Sequence, residues 1–425
     1  MKILIKNGHI IDPANNVDEV RDILVENGKI IKVAKMIKEA AEKTIDASAK
    51  LVLPGIVDMH VHLREPGRED KETILTGTKA AAKGGVTSVL AMPNTEPAID
   101  SPEAISLLKA AIAKTNLANV FICAAITKGR MGKELTNILK LKKQGAIAIS
   151  DDGASVDNRA LFLKALKIAK EKKVLVISHC EDKSLSGSGV INLGIMSTRL
   201  GLRGISKESE YKRVERDIQL ADKVGARLHI AHVSCKESVE IIAKAKKRGL
   251  NISAETAPHY FCFIDEDIFG FNTNLKVNPP LRSKDDSLAI KQGLKSGVID
   301  VIASDHAPHT QNEKDIEFDR AEFGAIGLET ELSASISQLL EAGLLDWKEL
   351  VRKLSLNPAR ILGLDKGTLG VGRDADIVII SADKEWVIKK ESIASKSTNS
   401  PFIGKKLKGL VEHTICNGEV VYKHE

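Results

Sequence analysis

Eight short apolar runs, most of them separated by helical patterns, occupy the middle of this chain and restrict its fold. The runs are Leu51–His62, Val86–Met92, Val120–Ile126, Ala146–Ser150, Val174–His179, Arg227–Val233, Asn251–Glu255 and Val298–Ser304. The helical patterns include one that begins at Ser101-Pro102 and others at about 157–172, 208–224 and 236–248. Repeated strand–helix alternation predicts an α/β fold with a closed (β/α)8 barrel, and a doubly wound open sheet is the alternative.

The two ends of the chain have a different pattern, of short strands joined by turns. Hairpin turns are indicated by the pairs Asn7-Gly8, Asn27-Gly28 and Asn417-Gly418. We predict that both ends form one small composite β domain around the barrel. The predicted bounds are 1–50 for its N-terminal part, 51–365 for the barrel and 366–425 for its C-terminal part.

Composition excludes several classes of function for this chain of 425 residues. No apolar run approaches the roughly 20 residues that a membrane helix needs, and the N-terminal residues alternate like a strand instead of forming a signal peptide. The formal net charge of +6, from 63 basic and 57 acidic residues, is mild, and the basic runs lie in helical patterns. Five cysteines without a Cys-x-x-Cys pair predict reduced thiols. We therefore expect a cytoplasmic protein that binds neither membranes nor nucleic acid.

The first apolar run ends in a histidine pair, within the stretch Val57–Arg64. Side chains two residues apart in a strand share one face, so His60 and His62 would project side by side, with Arg64 after them. Two imidazoles held in this way supply half of a metal site, and the guanidinium could bind an anion. A packed or exposed histidine pair is the ordinary alternative for this pattern.

Ionisable side chains stand at the C-terminal ends of five predicted strands, on the face where barrel enzymes carry their active sites. These side chains are His60, His62, Asp151, Asp152, His179, His232 and Asp305. Each alone could be a core histidine or a helix cap, but an unpaired ionisable group at the end of an apolar strand is costly. Together they predict a metal site, and histidine with carboxylate but no thiolate suits zinc. Four histidines and two aspartates exceed one tetrahedral shell, so we expect one or two zinc ions and favour two.

The segment Ala307–Gly327 follows the best catalytic candidate, Asp305, and has weak periodicity and many charges. Loops of this length are usually functional or disordered. We predict that it forms a mobile lid over the site.

Five motifs of this chain resemble those of dihydroorotases in the amidohydrolase superfamily. The motifs are Asp58–Gly67 (DMHVHLREPG), Met92–Thr95 (MPNT), Ser150–Gly153 (SDDG), Val277–Arg282 (VNPPLR) and Ser304–His309 (SDHAPH). The segment Gly370–Asp376 in the terminal domain is similar to that superfamily as well. The likeness covers essentially the whole chain and is strongest to the long-chain bacterial type.

The resemblance implies how the ligands divide between two zinc ions. His60 and His62, together with Asp305, would hold the more buried ion, and His179 and His232 would hold the more exposed one. Asp305 would also be the catalytic residue, which moves the proton.

The resemblance also bears on the group that bridges the two ions. Related enzymes use a carboxylated lysine on the fourth strand, whereas this chain has Asp151-Asp152 at that place and resembles the subgroup in which an aspartate bridges. We expect Asp152 to bridge, with Asp151 as the second choice. Substrate contacts are implied for Arg64, Asn94, Asn278, His309, Phe323 and Gly324.

The function that the resemblance implies is the reversible, zinc-dependent cyclisation of N-carbamoyl-L-aspartate to (S)-dihydroorotate in pyrimidine biosynthesis. The implied partners are a second copy of the chain and aspartate carbamoyltransferase. Hydantoinases and allantoinases are the enzymatic alternatives, but they typically use the carboxylated lysine and need no Arg64 and Asn94 pair for a carboxylate. A non-catalytic scaffold is a further alternative. His259 is expected to support a neighbour or to pack, and His229 to be structural.

Overall fold

Two eight-stranded sheets organise residues 1–425, all of which the computed structural model describes. The strands are β1 (Lys2–Asp12), β2 (Val17–Glu26), β3 (Lys29–Ala34), β4 (Lys43–Asp46), β5 (Leu51–Pro54), β6 (Ile56–Val61), β7 (Val86–Ala91), β8 (Asn119–Ala124), β9 (Ala146–Ile149), β10 (Leu175–Ser178), β11 (Ile191–Asn192), β12 (Gly204–Ile205), β13 (Leu228–Ile230), β14 (Ile252–Thr256), β15 (Val301–Ile302), β16 (Ile377–Val387), β17 (Lys406–Cys416) and β18 (Glu419–Lys423).

Helices follow most of the barrel strands, as the alternating pattern predicts. They are α1 (Ile74–Gly84), α2 (Pro102–Ile112), α3 (Ile138–Lys143), α4 (Arg159–Lys172), α5 (Lys183–Ser186), α6 (Ile195–Leu200), α7 (Glu208–Val224), α8 (Lys236–Lys247), α9 (Pro258–Cys262), α10 (Lys284–Lys295), α11 (Gln311–Lys314), α12 (Glu331–Ser335), α13 (Trp347–Val351) and α14 (Asn357–Leu362). Helix α2 begins as predicted, because the Ser101 hydroxyl accepts a hydrogen bond from the Ala104 amide and Pro102 takes the first helical position.

The barrel contains all eight predicted strands, in the order β6, β7, β8, β9, β10, β13, β14 and β15. Neighbouring strands pair in parallel, for example β6 with β7 and β13 with β14. The remaining gap between β15 and β6 is bridged just beyond the strands, where the His62 amide donates to the His306 carbonyl at 2.9 Å. The predicted (β/α)8 barrel is therefore confirmed as a nearly closed parallel barrel.

Both termini contribute to the second sheet, which runs in the order β18, β17, β16, β5, β1, β2 and β3, with β4 on β1. The antiparallel pair of β16 with β5 joins the C-terminal strands to the N-terminal ones. Side chains such as Ile3, Ile23 and Ile379 are fully buried in a core of its own. The composite sheet is thus present, and the division at residues 50 and 365 stays a prediction.

The structure corrects the prediction for the first apolar run, Leu51–His62. This run is split at Gly55, because Leu51–Pro54 pairs in the terminal sheet and only Ile56–Val61 enters the barrel. A side chain at Gly55 would lie 2.1 Å from the Thr87 hydroxyl, so the crossing point between the two sheets has no room for one.

The hairpin prediction at Asn7-Gly8 is wrong. These residues lie inside β1, where the pairing with β2 shifts register between Ile5 and Gly8. The Asn7 backbone is left-handed, with φ 61°, and its amide donates to the carboxylate of Asp22 at 2.9 Å. The pair therefore forms a β-bulge that a distant aspartate stabilises. The other two predicted turns, at Asn27-Gly28 and Asn417-Gly418, connect β2 to β3 and β17 to β18.

Apolar side chains fill the barrel interior below the strand ends. Met59, Leu90, Ile177 and Val301 belong to this inner core and are buried. Polar side chains of the inner face are therefore concentrated near the C-terminal ends of the strands. All five cysteines are free, which agrees with the predicted reduced thiols. None of the helices combines the length and the apolar character that crossing a membrane requires.

We expect Ile379→Ala in the middle of the terminal sheet to lower the free energy of unfolding by about 2–5 kcal/mol, because it removes a buried side chain and leaves a cavity. Chemical denaturation followed by circular dichroism measures this change. Ile31→Ala, at a β3 position that is 39% exposed, is the matched control and should change stability by no more than about 0.5 kcal/mol. Equal losses in the two variants would show that the terminal sheet has no core of its own.

Candidate functional site

The predicted ligands meet at the C-terminal end of the barrel, where their strands converge. His60 is the penultimate residue of β6 and His62 follows that strand. The other members follow β9, β10, β13 and β15 and are Asp152, His179, His232 and Asp305. All six residues are buried. The structure thus brings together every residue that the sequence predicted as a ligand, with Asp151 as the exception.

Asp152 lies at the centre of this cluster, which we call the His/Asp cluster. Its Oδ1 atom is 3.3 Å from His60 Nε2 and 3.6 Å from both His179 Nδ1 and His232 Nε2. Its Oδ2 atom is 3.5 Å from His62 Nε2. One carboxylate therefore faces all four histidines, which is the position that a bridging ligand needs.

Asp151 has a different position, although it precedes Asp152 in the same motif. Its Oδ1 atom accepts hydrogen bonds from the backbone amides of Ile126 and Thr127, at 2.8 and 2.9 Å, and its other oxygen accepts one from the Thr127 hydroxyl. These bonds fix the loop after β8. The geometry therefore favours Asp152 over Asp151 as the bridging residue.

Two observations show that the cluster fits a metal ion. His60 Nε2 and Asp152 Oδ1 are buried but have no hydrogen-bond partner, which is uncommon for buried polar atoms. Potential ligand atoms of His60, Asp152 and His232 lie within 4.8 Å of one another, and so do those of His60, His62 and Asp305. Bonds of about 2.0–2.2 Å in a tetrahedral zinc site place ligand atoms roughly 3.3–3.6 Å apart, which agrees with the spacings around Asp152.

Three of the histidines are oriented by hydrogen bonds at the ring nitrogen that points away from the cluster. His60 Nδ1 lies 2.5 Å from Glu255 Oε1, His62 Nδ1 lies 2.7 Å from Asn94 Oδ1, and His179 Nε2 lies 3.3 Å from Glu181 Oε2. Each of these oxygens can accept the ring N–H, so the other nitrogen, which faces the cluster, is the one available to bind a metal ion. Partners of this kind fix the tautomer of metal-binding histidines.

The electrostatics of the cluster favour a cation. Burial disfavours the charged form of His60, yet the carboxylates of Asp152 and Glu255 together raise its pKa well above the ordinary value. Burial likewise opposes charge on Asp152, but His60, His179 and His232 hold the pKa of this carboxyl well below its usual range. The negative charge of these carboxylates would therefore be balanced by a divalent ion at the centre of the cluster.

Three site residues have left-handed backbone conformations, which are uncommon for residues other than glycine. These are Arg64 with φ 62°, His232 with φ 36° and Asp305 with φ 48°. Strained conformations of this kind cluster at active sites, where the surrounding structure maintains them. All three residues lie just beyond their strands, so the unusual backbone sets the direction in which each side chain leaves the barrel.

A cavity of about 370 Å³ opens above the His/Asp cluster. All six predicted substrate contacts line it, namely Arg64, Asn94, Asn278, His309, Phe323 and Gly324. Arg64 Nε donates to the Pro308 carbonyl at 3.1 Å, and no carboxylate lies within ion-pair distance of this guanidinium. Burial lowers the pKa of Arg64 to about 10, although nearby carboxylates oppose the shift. The cavity therefore presents a cation that lacks an anionic partner.

The predicted lid is folded over this cavity and contains the short helix α11. Two buried ammonium groups hold its backbone, since Lys314 Nζ donates to the carbonyls of Glu322 and Gly324, and Lys276 Nζ donates to that of Ala321. Gly324 has φ 141°, and a side chain there would lie 2.9 Å from the Ala307 carbonyl oxygen and 3.0 Å from His309 Nε2. Only glycine fits at this position, where the backbone of the lid comes close to Ala307 and His309. The mobility of the lid stays a prediction.

Sequence reasoning missed several side chains of the site. Glu255 orients His60 and also faces His229, whose Nε2 lies 3.0 Å from Glu255 Oε2. Glu255 ends the seventh apolar run, which is the same position that the predicted ligands occupy in their runs, so the sequence could have indicated it. Arg130 and Lys71 line the cavity with no comparable signal in the sequence.

The sequence indicated no ligand role for His259. In the structure His259 lies beside the cluster, whereas two nearby cysteine sulfurs contact serine side chains. His259 Nε2 is buried without a hydrogen-bond partner and lies 4.0 Å from Asp305 Oδ2. The ring of His259 stacks edge-on against Tyr260. The Cys180 and Cys235 sulfurs contact Ser178 and Ser238, so the donors at the site are nitrogen and oxygen only.

The barrel, the terminal sheet and the His/Asp cluster together define an amidohydrolase. A model of the amidohydrolase family matches residues 325–422, and a model described as dihydro-orotase-like matches residues 49–238. Among solved structures, the L-hydantoinase of Arthrobacter aurescens aligns with a TM-score of 0.90 at 25% identity, over 99% of this chain and 96% of that protein.

Sequence comparison defines the family more closely. The dihydroorotase of Elusimicrobium minutum is 54% identical over 420 residues, which are 99% of this chain and 97% of that protein. The dihydroorotase of Geobacter metallireducens is 49% identical over 424 residues and 100% of both chains. This chain belongs to the dihydroorotase family.

The two aspartates of the Ser150–Gly153 motif allow a matched test of the metal site. We expect Asp152→Asn to lower the bound metal per chain strongly, because the amide carries no charge to balance the ion. Asp151→Asn should keep the metal but lower the melting temperature, since hydrogen bonds to a charged group contribute about 1.5–3 kcal/mol each. Elemental analysis and thermal melting of the same samples measure both effects. Metal loss in Asp151→Asn alone would exchange the roles of the two residues.

Proposed function

We propose that this chain catalyses the reversible cyclisation of N-carbamoyl-L-aspartate to (S)-dihydroorotate, the dihydroorotase reaction of pyrimidine biosynthesis. Membership of the family supports this reaction. The single structural observation that carries it is the half-buried Arg64 guanidinium, which forms no salt bridge with an acidic side chain and lines the cavity over the His/Asp cluster.

Arg64 explains why the substrate should carry a carboxylate. A charge that is partly removed from water and has no partner is costly, so an anion in the cavity would stabilise the site. The planar guanidinium can bind both oxygens of a carboxylate. Dihydroorotate carries one carboxylate on its ring, and Arg64 would bind it on the side of the cavity where His309 also lies, 3.2 Å from Arg64 Nη2.

Asn94 and Asn278 would supply neutral hydrogen bonds to the substrate. The Oδ1 atom of Asn94 faces His62, so its NH2 group is directed away from that ring and is available to a ligand. Asn278 Nδ2 lies 3.3 Å from Glu181 Oε2, which leaves its carbonyl oxygen free to accept. The backbone of Phe323 and Gly324 would cover the substrate from the side of the lid.

We infer that zinc occupies the His/Asp cluster and that two ions bind. Six donors exceed one tetrahedral shell, and all of them are nitrogen or carboxylate oxygen. His60, His62 and Asp305 would hold one ion, His179 and His232 would hold the other, and Asp152 would lie between them. When bound, zinc lowers the pKa of water and polarises a carbonyl group.

Asp305 would transfer the proton of the reaction. Its Oδ1 atom faces His62 Nε2 at 3.3 Å and His60 Nε2 at 3.6 Å, while its Oδ2 atom lies 4.0 Å from His259 Nε2. In hydrolysis, the carboxylate accepts a proton from the attacking water and donates it to the ring nitrogen as the amide bond breaks. In cyclisation, it takes the proton from the ureido nitrogen and donates it to the leaving oxygen.

The resemblance to hydantoinases in fold raises the question of substrate class. A hydantoin or dihydrouracil ring presents the same cyclic amide but carries no ring carboxylate. Such a substrate would leave the half-buried Arg64 guanidinium without an anion. The cavity therefore supports dihydroorotate over those rings.

We also propose that the protein forms a homodimer and associates with aspartate carbamoyltransferase. Both proposals rest on the motif resemblance. Light scattering of the purified chain, alone and mixed with that enzyme from the same organism, measures the two associations.

The substrate class can be tested with Arg64→Met, which keeps apolar bulk and removes the charge. For dihydroorotate we expect the KM to rise about 30-fold or more, since a buried charge pair contributes about 2–5 kcal/mol. Turnover of dihydrouracil, which lacks the carboxylate, should be slow in both proteins and insensitive to the substitution. An unchanged KM for dihydroorotate would remove Arg64 from substrate binding, and faster turnover of dihydrouracil than of dihydroorotate by the unsubstituted enzyme would favour a hydantoinase.

The proton-transfer role predicts that Asp305→Asn reduces kcat by about 10²–10⁴, the usual contribution of general acid–base catalysis. Absorbance of the dihydroorotate ring amide follows both directions of the reaction. Metal analysis of the same preparation separates loss of proton transfer from loss of zinc. Full activity of a metal-loaded Asp305→Asn enzyme would contradict the mechanism.

A further inference from the structure

The imidazole of His309 has four polar neighbours, two at each ring nitrogen. Nδ1 lies 3.1 Å from Lys71 Nζ and 3.5 Å from Glu313 Oε2. Nε2 lies 2.9 Å from the Phe323 carbonyl oxygen and 3.2 Å from Arg64 Nη2. The neighbours of each nitrogen therefore include one group that can only donate and one that can only accept.

These neighbours distinguish the two neutral forms of the ring. With the proton on Nε2, Lys71 donates to Nδ1 and Nε2–H donates to the Phe323 carbonyl, so both short contacts are hydrogen bonds. With the proton on Nδ1, two N–H groups face each other at Lys71, and the Phe323 carbonyl faces a lone pair. This form would gain a bond from Arg64 Nη2 to Nε2 at 3.2 Å, but its only acceptor is Glu313 at 3.5 Å, which compensates poorly for the lost contacts at 3.1 and 2.9 Å.

The ring is neutral under ordinary conditions. Burial, together with the cations of Arg64, Lys71 and Lys314, holds the pKa of His309 far below its usual value, although Glu313 opposes the shift. The question for this residue is therefore which nitrogen carries the single proton.

We propose that Lys71 is a positioning residue that fixes His309 in the Nε2–H form. This inference rests on the proposed function, because it assigns how His309 meets the substrate of that same site. The Nε2–H group is the one that lies beside Arg64 and the lid. A substrate carboxylate bound by Arg64 would then share the Nε2–H group with the Phe323 carbonyl instead of facing a lone pair.

The same proton position affects Arg64. Two N–H groups cannot satisfy each other, so Nη2 of Arg64 gains no hydrogen bond from the Nε2–H form of His309. The terminal nitrogens of Arg64 then remain available for an anion, while its Nε is bonded to the Pro308 carbonyl. Lys71 thus leaves the terminal nitrogens of Arg64 free and keeps the lone pair of His309 away from the ligand.

Lys71 is held firmly enough for this role. It is 5% exposed, its ammonium lies 2.9 Å from Glu313 Oε1, and its carbonyl accepts a hydrogen bond from the Ser397 hydroxyl at 2.7 Å. Glu313 has a second cationic partner in Arg68, at 2.9 Å, which does not contact His309. Arg68 therefore offers a control that disturbs Glu313 but leaves the donor to Nδ1 in place.

The test is nitrogen NMR of the zinc-loaded enzyme labelled with ¹⁵N-histidine, in which the spectrum of His309→Gln identifies the His309 signals. We expect the Nε2–H form in the unsubstituted enzyme, in Arg68→Met and in Lys71→Arg, which keeps a donor. Lys71→Met removes the donor without shortening the side chain greatly, and should shift His309 towards the Nδ1–H form, with Glu313 as acceptor.

Kinetics provide the second measurement. The KM for dihydroorotate should rise about tenfold in Lys71→Met, the equivalent of one hydrogen bond of about 1.4 kcal/mol, with a smaller change in kcat. Lys71→Arg should restore part of this loss, and Arg68→Met should show little of it. A purely structural role of Lys71 would lower the melting temperature without moving the histidine signals.

The Nδ1–H form in the unsubstituted enzyme would overturn the proposal, and this outcome does not depend on whether any variant folds. An unchanged His309 spectrum in folded Lys71→Met would overturn it as well. The proposed function is tested separately. It would be contradicted if the zinc-loaded enzyme did not turn over dihydroorotate, even though His309 had the Nε2–H form.

Discussion

The position of one carboxylate, Asp152, among four histidines is the constraint on which the site depends. The four histidines come from the ends of three strands, and the barrel brings them within 3.6 Å of the same group. A buried anion surrounded by ring nitrogens is stable only with a compensating cation. The fold therefore creates a site in which metal binding and the burial of six ionisable side chains stabilise each other.

The surroundings of this cluster are arranged in two layers. Below it, Glu255 orients His60, and at its edge Asn94 orients His62, so that one ring nitrogen of each histidine faces inward. Above it, the cavity presents Arg64 and His309 as donors to a ligand. The lower layer prepares the site for a metal and the upper layer for an anion, which is the combination that a cyclic amide with a carboxylate needs.

The sequence predicted the barrel and its ligands because both follow local rules. Strands have a period of two, and active-site residues lie at their C-terminal ends, so His60, His62, His179, His232 and Asp305 could be found without a structure. Long-range partners could not be found in this way. Nothing near Asn7 indicates that Asp22 turns its hairpin signal into a bulge, and Lys71 meets His309 across 238 positions of the chain. Periodicity also does not show which sheet a strand joins, so the break at Gly55 was missed.

The terminal sheet has a consequence for the order in which the chain is made. Strand β5 lies between β1 and β16, and the chain continues from it through Gly55 into the first ligand-bearing strand of the barrel. During synthesis from the N-terminus, one edge of β5 stays without a partner until residues 377–387 have left the ribosome. Unpaired strand edges of this kind are sites of misassembly in nascent proteins. The C-terminal strands thus complete the sheet from which the chain enters the strand of His60, so the support of the His/Asp cluster is finished only after residues 377–387 have been made.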